Sequence, residues 1–172
     1  MAKELKLNLG CGPNLMRGYV NCDWSKEMGA DKVFDMNNIP WPFKNNSVSE
    51  VYMSHVLEHF HEPLTILKEI YRICKDKAIV KIHVPYFSHE SAFSMLDHYH
   101  QFTWTSFDSL DKNHPCHWQS IGNFRVIKKK LVWRKQLFFL SFFNLFPRVY
   151  QELFCWIFPA QRMYVELEVQ KK

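Results

Sequence analysis

Leu5-Lys6-Leu7-Asn8-Leu9-Gly10-Cys11-Gly12-Pro13-Asn14 is the stretch that decides the fold of this chain. Leu5, Leu7 and Leu9 alternate as they would on a strand with a buried face. Gly10 and Gly12 then remove side chains where the backbone must bend sharply or let a ligand come close. Pro13 suits the first position of a following turn or helix, because its φ is already fixed and its missing N–H would have no partner there. A strand that runs into such a loop commonly holds a nucleotide-like ligand, whereas two glycines alone are equally a plain tight turn. The residues further along have to separate the two.

Working outward, Tyr19-Val20-Asn21-Cys22-Asp23 reads as a second short strand that closes on a carboxylate. Asp23 follows Gly10 by thirteen residues, whereas a dinucleotide-binding fold places its ribose carboxylate about twenty residues on and adds a third glycine. Leu15 stands at that third position, so the pattern argues against NAD. The segment from Pro13 to Gly18 holds barely a turn of helix, which makes the first crossover unusually short. Ala30 to Asp35 is a third apolar run ending on an acid, and Pro40 and Pro42 keep the loop Met36 to Phe43 from becoming helical. Val48 to Ser54 reads as the fourth strand. From His55 to Cys74 the apolar positions fall at helical spacing, with Pro63 starting the main helix. Lys75-Asp76-Lys77 turns the chain into a fifth strand, Ala78 to Pro85.

After Tyr86 the pattern becomes a mixture of His, Ser and aromatic residues without a clean period, so residues 86–120 read as a loop region on the substrate side of the sheet. Phe124 to Trp133 and Met163 to Val169 read as the sixth and seventh strands. The expected class is α/β, with a mostly parallel central sheet of about seven strands, an antiparallel last strand and a shortened first crossover. Its carboxyl edge brings together Gly10, Asp23, Asp35, Ser54 and Pro85.

The 172 residues fit one domain, and 47% hydrophobic with 23% charged residues is a globular composition. A formal charge of +5, with no run of like charge longer than Lys128-Lys129-Lys130, does not indicate nucleic acid. Five scattered cysteines without a Cys-x-x-Cys pair read as free thiols of a reducing compartment. Met1-Ala2-Lys3-Glu4 lacks an apolar signal region, so the expected location is cytoplasmic.

In this order and spacing the motifs resemble the class I S-adenosylmethionine-dependent methyltransferases, in particular small, compact members of the methyltransferase type 11 kind. The resemblance implies a single-domain Rossmann-like methyltransferase fold over residues 1–172 and S-adenosyl-L-methionine as cofactor. Leu7 to Asn14 resembles the first motif, whose loop wraps the methionine part of the cofactor, which implicates Asn8, Gly10, Cys11, Gly12 and Asn14. Asp23 resembles the acid that binds the ribose hydroxyls, with Trp24 beside it. Asp35 and Met36 resemble the pair at the adenine edge, and Ser54-His55-Val56-Leu57-Glu58-His59 resembles the segment that leaves the fourth strand, which adds Ser54 and His55. Asn8 stands where many members carry an acid. Trp24 and Trp41 are aromatic faces that could stack on adenine or the sulfonium, or simply pack.

Methyl transfer is an in-line displacement at carbon, so it needs a nucleophile held opposite the sulfonium, with a base only where the nucleophile must lose a proton. His83 at the end of the fifth strand and His98 and His100 in the following loop are the catalytic candidates, with His89, Glu90 and Asp97 nearby. His55, His59, His61 and the pair His114 and His117 offer a rival use as metal ligands, yet no spacing matches a structural zinc site and none is assigned. The acceptor is unidentified: a small molecule, a glycan or a lipid-linked compound. The alternatives are a non-catalytic S-adenosylmethionine-binding module or regulatory subunit, and a nucleotide-sugar or NAD enzyme of related architecture. Residues 137–158, between the last two strands, form an apolar segment too short to span a bilayer. Burial, a homodimer interface or peripheral contact with an anionic membrane beside Lys128, Lys129, Lys130, Arg134 and Lys135 are its expected uses, burial or an interface being favoured because so small a domain needs apolar cover.

Overall fold

Seven strands, β1 (Leu5–Leu9), β2 (Val20–Asp23), β3 (Lys32–Val33), β4 (Val48–Ser54), β5 (Cys74–Pro85), β6 (Phe124–Val132) and β7 (Arg162–Val169), form one sheet in the order β3-β2-β1-β4-β5-β7-β6. The computed structural model describes residues 4–117 and 122–171. β1 to β5 pair in parallel, and β7 runs antiparallel between β5 and β6. The mixed sheet thus has the expected form, with the reversed strand placed inside its far edge and not at it.

Period-two alternation sets the two faces. Met163, Val165 and Leu167 of β7 are buried opposite Val84, Ile82 and Val80 of β5, and Val169 is buried opposite Phe124 of β6. Each such aliphatic side chain contributes roughly 1.5–3 kcal/mol by leaving water. The intervening residues carry ion pairs on the other face: Glu50 of β4 accepts from Lys6, Lys81 and Tyr19, and Lys128 pairs with Glu166. The helix α1 (Pro63–Ile73) covers the apolar face with Ile66, Leu67, Ile70 and Ile73, a stripe at three- and four-residue spacing.

Several expectations need correction. Pro63 starts the main helix α1 as expected, but the helical spacing upstream of it yields only a single 3-10 turn, Leu57–His59, because Pro63 has no N–H to continue a helix from there. β3 shrinks to Lys32–Val33, since the Asp31 carboxylate turns away to accept from the Asn21 amide at 2.8 Å and its side-chain nitrogen at 3.0 Å. β5 starts at Cys74 and not Ala78; a register shift against β4 and a positive φ at Lys77 absorb the Lys75-Asp76-Lys77 turn within the strand. Trp41 is core, packed on Phe34 with its indole N–H on the Met36 carbonyl, so it packs and does not line the cavity described below. Its neighbour in that proposal, Trp24, is 74% exposed.

Residues 137–158 divide between core and surface. Within the 3-10 segment Lys135–Leu145, Leu140 and Phe143 are buried at the three-residue spacing of that helix, and Tyr150 and Cys155 follow them inward under Trp133. Phe138, Phe139, Phe142, Leu145, Phe146 and Trp156 remain exposed. Among the described residues, no helix is long and apolar enough to cross a membrane.

Candidate functional site

The carboxyl ends of β1, β2 and β4 open on one cavity of about 550 Å³. Gly10, Gly12, Asp23, Trp24, Asp35, Met36, Asn37, His55, Val56, His59, Phe60 and Asp97 line it. The glycine loop stands at its floor. Gly10 has φ +64°, and a Cβ there would lie 2.4 Å from the Val56 side chain, so backbone and Val56 touch directly at this point. Cys11 donates its amide to the Cys22 carbonyl at 3.0 Å, and Asn14 donates to the Cys11 carbonyl at 2.9 Å, which closes the loop as a turn.

Asp23, nearly buried at the end of β2, accepts from the Gly12 amide at 2.9 Å through one oxygen and from the Ser25 amide at 3.0 Å through the other. It therefore braces the loop as well as facing the cavity. Asp35 accepts the Asn37 amide at 2.9 Å and its side chain at 3.0 Å, an Asx turn that presents Asp35, Met36 and Asn37 as one rim. His55 reaches the wall through a φ of +57°, its amide bonded to the His83 carbonyl at 2.9 Å.

Other residues named from sequence support the site from behind. Asn8 is buried and donates to the Asn14 carbonyl at 3.0 Å and to Asn21 at 2.9 Å, so it ties the short crossover down and does not line the cavity. Burial, then the Asp23 charge, pushes the Cys11 thiol up, which keeps it protonated and unreactive near neutrality. Ser54 ends β4 outside the cavity lining.

The histidines separate clearly. His83 stacks on Tyr164 and lies tilted against Tyr52 on the polar sheet face, and burial, followed by the Arg162 and His55 charges, pushes its pKa down to about 4. It does not line the cavity. His100 bonds the His61 carbonyl at 3.1 Å, also outside it. His98 lies edge-on to His59, with ring centroids 4.7 Å apart, and His59 lines the cavity. The chain after β5 is pinned there: the Tyr99 amide donates to the Glu58 carbonyl at 2.9 Å, the Tyr99 ring stacks on His61, and Asp97 meets His59 Nδ1 at 3.0 Å.

Asn37, Val56 and Phe60 were not expected from sequence among the lining residues. Val56 and Phe60 alternate with charged and histidine residues without a clean period, and the 3-10 turn between them brings both to the cavity.

Residues 7–82 match the family model described as methyltransferase domain. No curated protein matches the sequence. Among solved structures, an S-adenosylmethionine-dependent methyltransferase from Archaeoglobus fulgidus is similar with a TM-score of 0.65 and 14% identity, over 97% of this chain and 86% of that one. A chain of the Haloferax volcanii complex between the Trm112 methyltransferase activator and a methyltransferase gives 0.64 and 16%, over 99% and 84%. Phosphoethanolamine N-methyltransferase 2 of Haemonchus contortus, solved with S-adenosyl-L-methionine, gives 0.61 and 14%, over 100% and 50%. At such identities these likenesses speak to the fold.

Proposed function

We propose, from the match of residues 7–82 to the methyltransferase-domain model, that the cavity at the carboxyl ends of β1, β2 and β4 binds S-adenosylmethionine and presents its methyl group to an acceptor entering from the 95–100 side. The observation that carries this assignment is convergence: Gly10, Gly12, Asp23, Asp35, Met36 and His55, from four separate places in the sequence, line a single cavity. In this reading the glycine loop lies along the methionine part, Asp23 accepts the ribose hydroxyls, and the Asp35–Asn37 rim meets the adenine. The His59, Asp97 and His98 group forms the acceptor wall. His83 is assigned to bracing the polar sheet face and His100 to fixing the loop, on the contacts given above.

The reaction needs the acceptor's lone pair to form a bond to the methyl carbon as the carbon–sulfur bond breaks, the pair returning to sulfur. The enzyme's part is to align donor and acceptor and exclude water. A calorimetric titration with S-adenosylhomocysteine tests the assignment. Asp23→Asn keeps the shape of the side chain but removes a charged acceptor worth about 1.5–3 kcal/mol, so its affinity is expected to fall by at least tenfold. Undiminished affinity in that variant would remove Asp23 from the site.

For the acceptor, the exposed aromatic face of residues 137–158 favours an apolar or lipid-linked compound. Phe138, Phe142, Leu145 and Phe146 stand exposed beside the basic residues Arg134, Lys135 and Arg148. Apolar side chains flanked by cations suit the surface of an anionic membrane. A protein partner is the competing occupant, since one structural neighbour comes from a complex with an activator.

A further inference from the structure

Glu58 is wholly buried, and among the described residues neither oxygen of its carboxylate has a hydrogen-bond partner. His55 Nδ1 lies at ion-pair distance, 3.3 Å, from one oxygen, without the geometry of a hydrogen bond. A buried carboxylate with a part-exposed histidine at ion-pair distance and no hydrogen bond is costly when ionised, so its place calls for a further cation. His98 presents a similar anomaly: both of its ring nitrogens are buried and have no hydrogen-bond partner among the described residues. His59 completes the group, and one ligand atom from each of Glu58, His59 and His98 lies within 4.8 Å of the other two.

We propose that Glu58, His59 and His98 hold a divalent transition-metal ion at the acceptor wall of the cavity. Two imidazoles and a carboxylate are a donor set that takes zinc or a neighbouring first-row ion in place of magnesium or calcium, which prefer all-oxygen sites. Asp97 occupies Nδ1 of His59 at 3.0 Å, which leaves Nε2 as that ring's free ligand atom. A carboxylate on the outer nitrogen fixes the tautomer and orientation of a ligating histidine, so Asp97 has the role of the outer partner. One ion would satisfy Glu58 and His98 together. Three protein ligands leave coordination positions open, and an ion so held can bind and acidify a hydroxyl or water. This inference rests on the cavity being the methyl-transfer site only for what the ion would do there; the site itself stands on the orphaned groups.

The test is calorimetric titration of Zn²⁺ and visible absorption on addition of Co²⁺ to chelator-treated full-length protein. Glu58→Gln, His98→Ala and Asp97→Asn are run in parallel, with circular dichroism as the check that each variant is folded. Expected are one ion per chain and the ligand-field bands of Co²⁺ with nitrogen ligation. Both signals should be lost in Glu58→Gln and His98→Ala, with affinity reduced about 10- to 100-fold in Asp97→Asn. Absence of binding, or binding that Glu58→Gln and His98→Ala leave unchanged, would overturn the proposal, the latter by assigning the ion to other histidines. S-adenosylhomocysteine affinity measured on the same samples reports separately on the cofactor assignment.

Discussion

At the scale of the residue, Gly10 shows how closely the backbone and its neighbour are fitted. Its φ of +64° would strain any other residue by about 1–2 kcal/mol. An added Cβ would also meet Val56 at 2.4 Å, and Val56 is part of the cavity lining. Gly12 has a φ of +48° but nothing within 4 Å of an added Cβ. Gly10→Ala is therefore expected to destabilise the fold more than Gly12→Ala and to displace Val56 into the cavity. Urea denaturation of the two variants checks this, and equal losses would mean that the contact with Val56 is soft. Both glycines were legible as a turn in sequence. Their different constraint was not, because it comes from Val56, forty-six positions along the chain.

At the scale of the element, the loop after β3 depends on α1. Glu69, buried on α1, accepts the Trp41 amide at 2.7 Å and pairs with Arg72, whose guanidinium also donates to the Trp41 carbonyl at 3.2 Å and the Phe43 carbonyl at 3.1 Å. The side chains of one helix thus satisfy the backbone of the loop that carries Met36 and Asn37 to the cavity. Burial alone would raise the Glu69 carboxyl, but the Arg72 bonds and the Trp41 amide outweigh it and hold the carboxyl below its ordinary value. A carboxyl depressed in the folded state adds stability that is complete above the unfolded pKa and disappears as pH falls through the folded one. Wild-type protein should therefore lose more stability between neutral pH and pH 3 than Glu69→Gln does. Melting temperatures measured across that range decide it; parallel curves would show that Glu69 contributes no such linkage. The helix and β4 were readable because their apolar periods are regular. The clamp was not, since a Glu at helical spacing with an Arg three residues later reads as an ordinary surface pair.

At the scale of the whole molecule, the fold order and the glycine edge were legible because parallel strands ending in Gly10, Asp23 and Ser54 leave few topologies. Residues 137–158 were harder, because the 3-10 turns of 135–145 are broken by non-helical backbone at Leu137 and bury only Leu140 and Phe143, which produces neither a helix nor a strand signature. Its outward face, with Phe138 and Phe142 beside Arg134 and Lys135, should bring the protein to vesicles of anionic phosphatidylglycerol, and Phe138→Ser with Phe142→Ser should reduce the bound fraction in flotation. Equal flotation with neutral vesicles, or a dimer in sedimentation that the same substitutions dissociate, would reassign the face. The central claim is that the cavity under the glycine loop holds S-adenosylmethionine. The most direct measurement is titration of S-adenosylhomocysteine, and separately of NAD and a sugar nucleotide, into the wild-type chain. One S-adenosylhomocysteine site per chain, weakened by Asp23→Asn, with no response to the other two, is the expected result; saturable binding of NAD or a sugar nucleotide in its place would contradict it.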